Sequence, residues 1–535
     1  MSATTTVNAP TATVPGMFTL VLHSHLPWLP HHGRWPVGEE WLYQSWADSY
    51  IPVFRVLRTL AAEGRSHLLT LGMTPVLSAQ LDDPYALSAM HHWLGNWQHR
   101  AHEAALTPDS ARKKGTPPVD NAASPHALRQ LGWREHSNAA AALEDFELHW
   151  RHGGAGLVRQ LTEAGTIELL GGPLTHTFQP LTHPTLRAGA LAAGLNDAAS
   201  RFSTRPQGIW APECAYTPGL ESLYQQAGIT HFMVDGPSLR GDTTLGRPVW
   251  DSNVIAFGRD LQVSYRVWSP KSGYPGHRDY RDFHSYHHGT GLKPARVTSK
   301  TTPADAKAPY DPLRAAAAVE QHADDFVDTV RRRLISESER IGRPAHVIAA
   351  FDTELFGHWW HEGPEWLAAV LRRLPEVGIN VGTLDDAINA GYVGAPAEIE
   401  NSSWGSGKDW RVWAGDQVED LVQLNTEVGD LGVKLLQQRD SGKTRPRDYI
   451  ADQVIREVLL CLASDWAFMV SKESAVGYAR DRAHKHAHAA REIADAAFRG
   501  DDARALQLAS AWNNADGLFP ALDSRTFSIS NEGWS

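Results

Sequence analysis

Two carboxylates, each closing an apolar run and each set beside tryptophan, have the types and surroundings to do chemistry. Glu213 lies in Gly208-Ile209-Trp210-Ala211-Pro212-Glu213-Cys214-Ala215-Tyr216. Asp352 follows Val347-Ile348-Ala349-Ala350-Phe351 and precedes Thr353-Glu354-Leu355-Phe356-Gly357-His358-Trp359-Trp360. A β/α enzyme carries its reacting groups at the carboxyl ends of its strands. An acid facing a carboxylate across a Trp-lined cleft is what glycosidic bond chemistry needs. Pro212 limits the conformation of its neighbour, so Glu213 reads as a strand-end group rather than a mid-helix one. The structural alternatives are a capping or salt-bridged acid at Glu213 and a helix N-cap at Asp352. In an extended segment Glu354 shares the side of Asp352, and pattern alone does not choose between them.

Other polar and aromatic groups could serve the same site. His23 and His25 lie two apart and face one side of a strand. With His67, His176 and His358 they invite comparison with a metal site. The His-x-His spacing has no Cys and no His/Glu helix motif beside it, and neutral imidazoles donating to sugar hydroxyls fit it equally. Trp404, Trp410 and Trp413 fall in Ser402–Trp413, a run more polar and Gly-rich than a core, with domain packing as their alternative role. Asp465 interrupts the apolar stretch Leu459–Val470. An acid there is costly to bury unless paired, so it is either paired or reaches the cleft.

These groups need strands to position them. Phe18–Leu22, His67–Pro75, Thr166–Leu170, Gly208–Pro212, Thr230–Gly236 and Val347–Asp352 are short apolar runs with polar ends, alternating with helical stretches. Asn380–Leu384 reads as the last strand. Alternation of this kind predicts a parallel sheet, and polar strand ends that converge on one site predict a barrel. Residues 17–83 and 151–398 are read as the barrel, 84–150 as an inserted helical domain, and 399–535 as a C-terminal helical domain. Pro108–Pro125 is a basic, Pro-rich loop within the insert, and Pro270–Pro312 is an irregular loop over the cleft. Residues 1–16 read as a disordered leader, lacking the basic and apolar regions of a signal peptide.

Composition narrows the partners. A net charge of −11 leaves no basic surplus for neutralising phosphates, so a nucleic-acid partner is not expected. Two cysteines, Cys214 and Cys461, make no disulfide framework and fit a reducing, cytoplasmic compartment. No apolar run reaches the length of a membrane span. The 20 Trp, many in polar surroundings, offer flat apolar faces suited to stacking on the C–H faces of sugars.

The motifs resemble those of glycoside hydrolase family 57 and, within it, the 1,4-α-glucan branching enzymes, from about Phe18 to about Ala467. His23-Ser24-His25-Leu26-Pro27 resembles the family's first motif, continued by Gly33-Arg34-Trp35-Pro36-Val37-Gly38-Glu39-Glu40-Trp41. Ile167-Glu168-Leu169-Leu170-Gly171 with His176 is similar to the second, and Trp210-Ala211-Pro212-Glu213-Cys214 to the third. Phe351-Asp352-Thr353-Glu354-Leu355-Phe356-Gly357-His358-Trp359-Trp360 resembles the fourth. Thr383-Leu384 and Trp404 fall in the fifth region, and Asp465 in Ser464-Asp465-Trp466 matches a substrate-site acid of the branching group. The resemblance implies a (β/α)7 barrel with an inserted helical domain and a C-terminal helical domain that completes the cleft. It assigns Glu213 as nucleophile and Asp352, rather than Glu354, as acid/base. It implies that Trp35, Trp268, Trp404 and Trp413 line the glucan path and that His23 and His176 hold the sugar near the bond being broken. His25, Trp210, His358 and Asp465 join the substrate-binding set.

The activity so implied is branching. An internal α-1,4 bond is cleaved by a retaining double displacement and the chain passes to a 6-hydroxyl, with no metal or organic cofactor. The substrate would be glycogen, amylose or a methylated glucose polymer, and the protein a monomer. An α-amylase, a 4-α-glucanotransferase, an idle glucan-binding scaffold and a deacetylase-like metal hydrolase using His23 and His25 are the rivals. One departure bears on this choice. Branching members carry a long tyrosine-bearing loop after the strand matching Phe232–Asp235, whereas Gly236–Val249 is short and has no Tyr.

Overall fold

A computed structural model describes residues 14–108, 122–269, 271–439 and 446–527. Its sheet contains β1 (Met17–Ser24), β2 (Leu69–Met73), β3 (Ile167–Gly171), β4 (Gly208–Ile209), β5 (His231–Val234), β6 (Arg247–Pro248), β7 (Ile255–Gly258), β8 (His346–Asp352) and β9 (Asn380–Val381). Seven strands run parallel in the order β7-β5-β4-β3-β2-β1-β8; β6 is an antiparallel flap on β7, and β9 pairs only with the start of β1.

Side-chain alternation separates the inside of this barrel from its outside. Val21, Leu170, Met233, Phe257, Ile348 and Ala350, from five strands, meet in one interior cluster with Trp210. Their neighbours Leu20, Leu22, Leu69, Leu71, Leu169 and Ala349 face outward into the core shared with the helices. The period-two rule therefore sends odd-numbered residues of β1 and even-numbered residues of β8 inward. His23 and Asp352 follow from it directly, and they are partners in the β1–β8 register. The seam between β7 and β8 is bridged by the Asp260 N–H donating to the Ile348 carbonyl at 2.9 Å. A polar layer closes the floor: Thr70 donates to Glu168 at 2.7 Å, and His231 bonds the other Glu168 oxygen at 2.7 Å.

Between β2 and β3 the helices Pro84–Ala105 and Pro125–Asp145 pack together. Each starts with proline in its first turn behind a side-chain cap, Asp83 and Ser124. Gly132 permits the contact, because a Cβ there would stand 2.3 Å from the Ala105 nitrogen. Most of the Pro108–Pro125 loop lies outside the described residues. Beyond the barrel, helices Glu419–Arg439, Tyr449–Cys461, Ser464–Ser471, Val476–Phe498 and Asp502–Asp516 form a second core that takes in Trp28, Val76, Leu174 and Phe178 from the barrel.

Two expectations about strands change. Ile255–Gly258 is a full barrel strand that the sequence reading passed over; it is four residues long, preceded by Val254 and followed by Arg259. Asn380–Leu384, expected as the last strand, contributes two strand residues, and Leu384 instead starts a helix capped by Thr383 and Asp386. Among the described residues, no helix is long and apolar enough to cross a membrane.

Candidate active site

The carboxyl ends of β1, β3, β4 and β8 supply the site, and the C-terminal helices close it. Past β3, Thr175 and His176 adopt φ of 61° and 60°; past β4, Glu213 and Cys214 adopt 62° and 49°. Left-handed backbone at non-glycine residues costs about 1–3 kcal/mol each and concentrates at functional sites. Here it turns His176 and Glu213 back over the barrel mouth.

Glu213 is fixed at both oxygens. Trp404 Nε1–H donates to Oε2 at 2.9 Å, and Ser464 Oγ–H donates to Oε1 at 2.7 Å. The Trp404 backbone N–H also donates to the Glu213 carbonyl at 2.9 Å. Burial pushes the Glu213 carboxyl up to about 7 against the pull of those two donors. Asp352 is different: among the described residues, no side-chain hydrogen bond holds its carboxylate. Burial raises it to about 6, opposed by the nearby Arg259 and His25 cations.

Glu354, the rival of Asp352, is engaged in structure. It accepts hydrogen bonds from Tyr50 Oη and, at 3.2 Å, from the His25 backbone N–H. Burial and the Asp352 charge raise its carboxyl to about 8.

The imidazoles form a stack. His23 lies flat on Trp210, centroids 4.4 Å apart and 9° between planes. His25 lies on His176 at 3.7 Å and 18°. His23 Nε2 and His176 Nε2 are 3.2 Å apart, and His176 Nδ1 is 2.9 Å from Ser464 Oγ. Burial, then the His25 charge, hold both His23 and His176 far below the ordinary imidazole range, so they are neutral. Burial would lower His25 too, but the Asp465 carboxylate at 3.1 Å reverses the direction, and His25 is raised.

His25, His176 and Asp465 bring possible ligand atoms within 4.8 Å of one another. The two rings are stacked nearly parallel, so their in-plane lone pairs point side by side and do not converge on one ion. His25 Nε2 is moreover taken by Asp465 and Nδ1 by Thr74 at 3.0 Å.

The structure thus gathers His23, His25, His176, Trp210, Trp404 and Asp465 around Glu213 and Asp352. Trp35, Trp268 and His358 stand farther along the cleft. Trp35 is 76% exposed, and Trp268, 46% exposed, stacks on Trp359 at 5.8 Å. Trp413 is corrected: it is 2% exposed, stacked on Phe178 at 4.8 Å, with its other edge against Gly405, where a Cβ would come within 2.7 Å. Its faces are closed to a ligand, and it packs the C-terminal helices onto the barrel. Three contributors went unread in the sequence. Arg259 lies 5.3 Å over the Trp404 ring and bonds Asp235 at 2.9 Å. It follows β7, the strand passed over. Ser464 is the neighbour of Asp465, and Tyr50 lies in a helix read only for its apolar spacing.

Two family models match the chain. Residues 19–400 match the model for glycosyl hydrolase family 57, and residues 430–527 match the 1,4-alpha-glucan branching enzyme C-terminal model. The chain belongs to glycosyl hydrolase family 57. A relative from Mycobacterium tuberculosis, described as a probable 1,4-alpha-glucan branching enzyme, is 63% identical over 524 residues, covering 97% of this chain and 99% of that one. Among family 57 structures, a branching enzyme from Pyrococcus horikoshii superposes with TM-score 0.86 at 27% identity, covering 96% of this chain and 97% of that one. An α-amylase from Thermotoga maritima superposes with TM-score 0.81 at 25% identity, covering 96% and 99%.

Proposed function

We propose that the protein is a 1,4-α-glucan branching enzyme, with Glu213 as nucleophile and Asp352 as acid/base. One observation carries the reading: both Glu213 oxygens are held by residues beyond the barrel strands, Trp404 and Ser464, and Ser464 belongs to the part matched by the branching-enzyme C-terminal model. The nucleophile is therefore oriented by the segment that a branching enzyme carries.

The mechanism follows from the two environments. Glu213, locked in place, attacks the anomeric carbon of an internal α-1,4-linked glucose. Asp352, with no side-chain hydrogen bond among the described residues, protonates the departing 4-oxygen. The glucan stays covalently on Glu213 while an acceptor chain enters, and Asp352, now ionised, takes the proton of its 6-hydroxyl. Retention requires the carboxyl groups to stand about 5–5.5 Å apart. The reactive form is Glu213 ionised with Asp352 protonated. With burial holding Glu213 at about 7 and Asp352 at about 6, this form is the minority one. The positive charge that develops on the sugar favours it as the bond breaks. His23 and His176, neutral and stacked, can donate to and accept from sugar hydroxyls without competing for that proton. Trp210 and Trp404 wall the nucleophile from water, which favours a sugar as the second attacker.

The α-1,4-glucan is the substrate class; glycogen is the proposed physiological polymer, and a methylated glucose polymer is the alternative. The similarity to an α-amylase keeps hydrolysis as the second reading, and the short Gly236–Val249 segment bears on the balance. That segment forms a compact turn, Gly236–Leu239, leading to β6. The test is incubation with amylose. New reducing ends that emerge only after debranching support branching; free reducing sugar at once, with no branches, refutes it.

A further inference from the structure

A cleft outside the catalytic centre lies between the inserted helices, the 281–293 loop and the turn after β8, with a cavity of about 210 Å³. Its walls combine aromatic planes, including Trp93, Trp97, Tyr286 and Trp359, with charged groups. A buried cleft of this kind has the rings that sugars stack on and the polar groups that bond hydroxyls.

Two of the charged groups have no partner of opposite sign in contact. Asp48 sits in a π-helical turn, Trp46–Tyr50, inside the helix that follows β1. Such turns widen the helix and often mark functional sites. The Asp48 carbonyl is seated against Gly357, where a Cβ would come within 1.6 Å, so this turn docks directly on the segment after Asp352. Lys293 lines the same cleft, its ammonium 4.4 Å from the Phe283 ring and 5.2 Å from Tyr286. Each feels the other's charge. Yet, among the described residues, neither makes an ion pair. Three further buried polar atoms on the cleft wall lack hydrogen-bond partners: Arg100 Nε, Arg281 Nε and His358 Nδ1. Unsatisfied buried groups facing a cavity call for a ligand that supplies the missing bonds.

We propose that this cleft is an outer subsite that binds one glucose unit of the α-1,4-glucan, its vicinal hydroxyls bridging the Asp48 carboxylate and the Lys293 ammonium. A hydroxyl donates to the carboxylate while its neighbour accepts from the ammonium, which closes a gap that the protein leaves open. Burial pushes the Asp48 carboxyl up to about 6, so it is an ionised acceptor at neutral pH. A phosphate is disfavoured, because Glu40, Asp48 and Glu135 offset the cations of the same cleft. Trp359, on the cleft wall, is stacked on Trp268. His358 and Trp359, six and seven residues after Asp352, tie the cleft to the catalytic strand. The subsite would therefore add affinity only for chains long enough to span both places.

This inference rests on the glucan reading of the catalytic site, and the experiment separates the two. Maltodextrins from maltotriose to maltodecaose are titrated calorimetrically into Glu213→Gln protein, alone and combined with Lys293→Met or with Asp48→Asn. Thermal melting checks that each variant is folded. The expected result is a step in affinity above a threshold chain length that either second substitution lowers at least fivefold, while affinity for shorter chains is kept. Long-chain affinity that is unchanged in both folded variants, or lost equally at every length, overturns the subsite. If no maltodextrin of any length binds the Glu213→Gln protein, the glucan reading itself fails.

Discussion

Replacing Ser464 by alanine removes one of the two donors that hold Glu213. A hydrogen bond to a charged group contributes about 1.5–3 kcal/mol, and each pKa unit corresponds to about 1.4 kcal/mol. The bond favours the ionised carboxylate, so its loss raises the Glu213 pKa further, from about 7 by about one to two units. With Asp352 near 6, the reactive form, ionised Glu213 with protonated Asp352, reaches about 6% of molecules at its optimum near pH 6.5. In the variant it falls to about 0.8% or about 0.1%, a loss of about 7-fold to about 60-fold. The optimum moves up by half the shift, about 0.5–1 pH unit, and the bell widens. The assay is the pH profile of kcat/KM for transfer from amylose, with wild type and variant in the same buffers. A loss of activity at an unchanged optimum would refute the reasoning, because it would mean that Ser464 supports the fold or His176 without setting the proton balance of Glu213.

Three further outcomes follow from the same geometry. Asp352→Asn should lower transfer by about 10²–10⁴-fold on natural glucan, whereas Glu354→Gln should act mainly by freeing Tyr50 and loosening the His25 backbone; comparable kinetic losses from both would contradict the assignment. The His25–Asp465 pair should stabilise the fold fully below about pH 6.5 and lose that contribution as pH rises through the raised His25 value; denaturation midpoints across that window should show the decline in wild type and not in Asp465→Asn. Trp413→Ala should cost about 3–5 kcal/mol of stability as a buried aromatic truncation, while Trp268→Ala should leave stability within about 0.5 kcal/mol and weaken long-chain binding, both read by urea unfolding and calorimetry.

Sequence pattern carried furthest where burial is symmetrical and local. β1 and β8 are continuous apolar runs with polar ends, and a strand buried on both faces needs that composition. β7 escaped because four apolar residues between Asn253 and Arg259 have no period to count, and Arg259 was lost with it. The candidate site was legible where one segment supplies both strand and polar end, as at His23, Glu213 and Asp352. It was not legible where a distant segment reaches in: nothing in Ser464 announces a bond to a carboxylate 251 positions earlier. Trp413 shows the opposite failure. Its Gly-rich surroundings argued against a core, yet Gly405 is what leaves room for the ring. The choice between Asp352 and Glu354 was open to pattern because they share a side, and only their partners differ.

The nucleophilic role of Glu213 is the central claim, and trapping the intermediate tests it most directly. A glycosyl fluoride of maltotriose has a leaving group that needs no proton, so Asp352→Asn should form the glycosyl-enzyme and discharge it slowly. Mass spectrometry of the digested protein should then find the added sugar mass on the peptide that contains Glu213. Sugar mass on the peptide that spans the substituted position and Glu354, or steady turnover of the fluoride with no covalent adduct, would contradict the account.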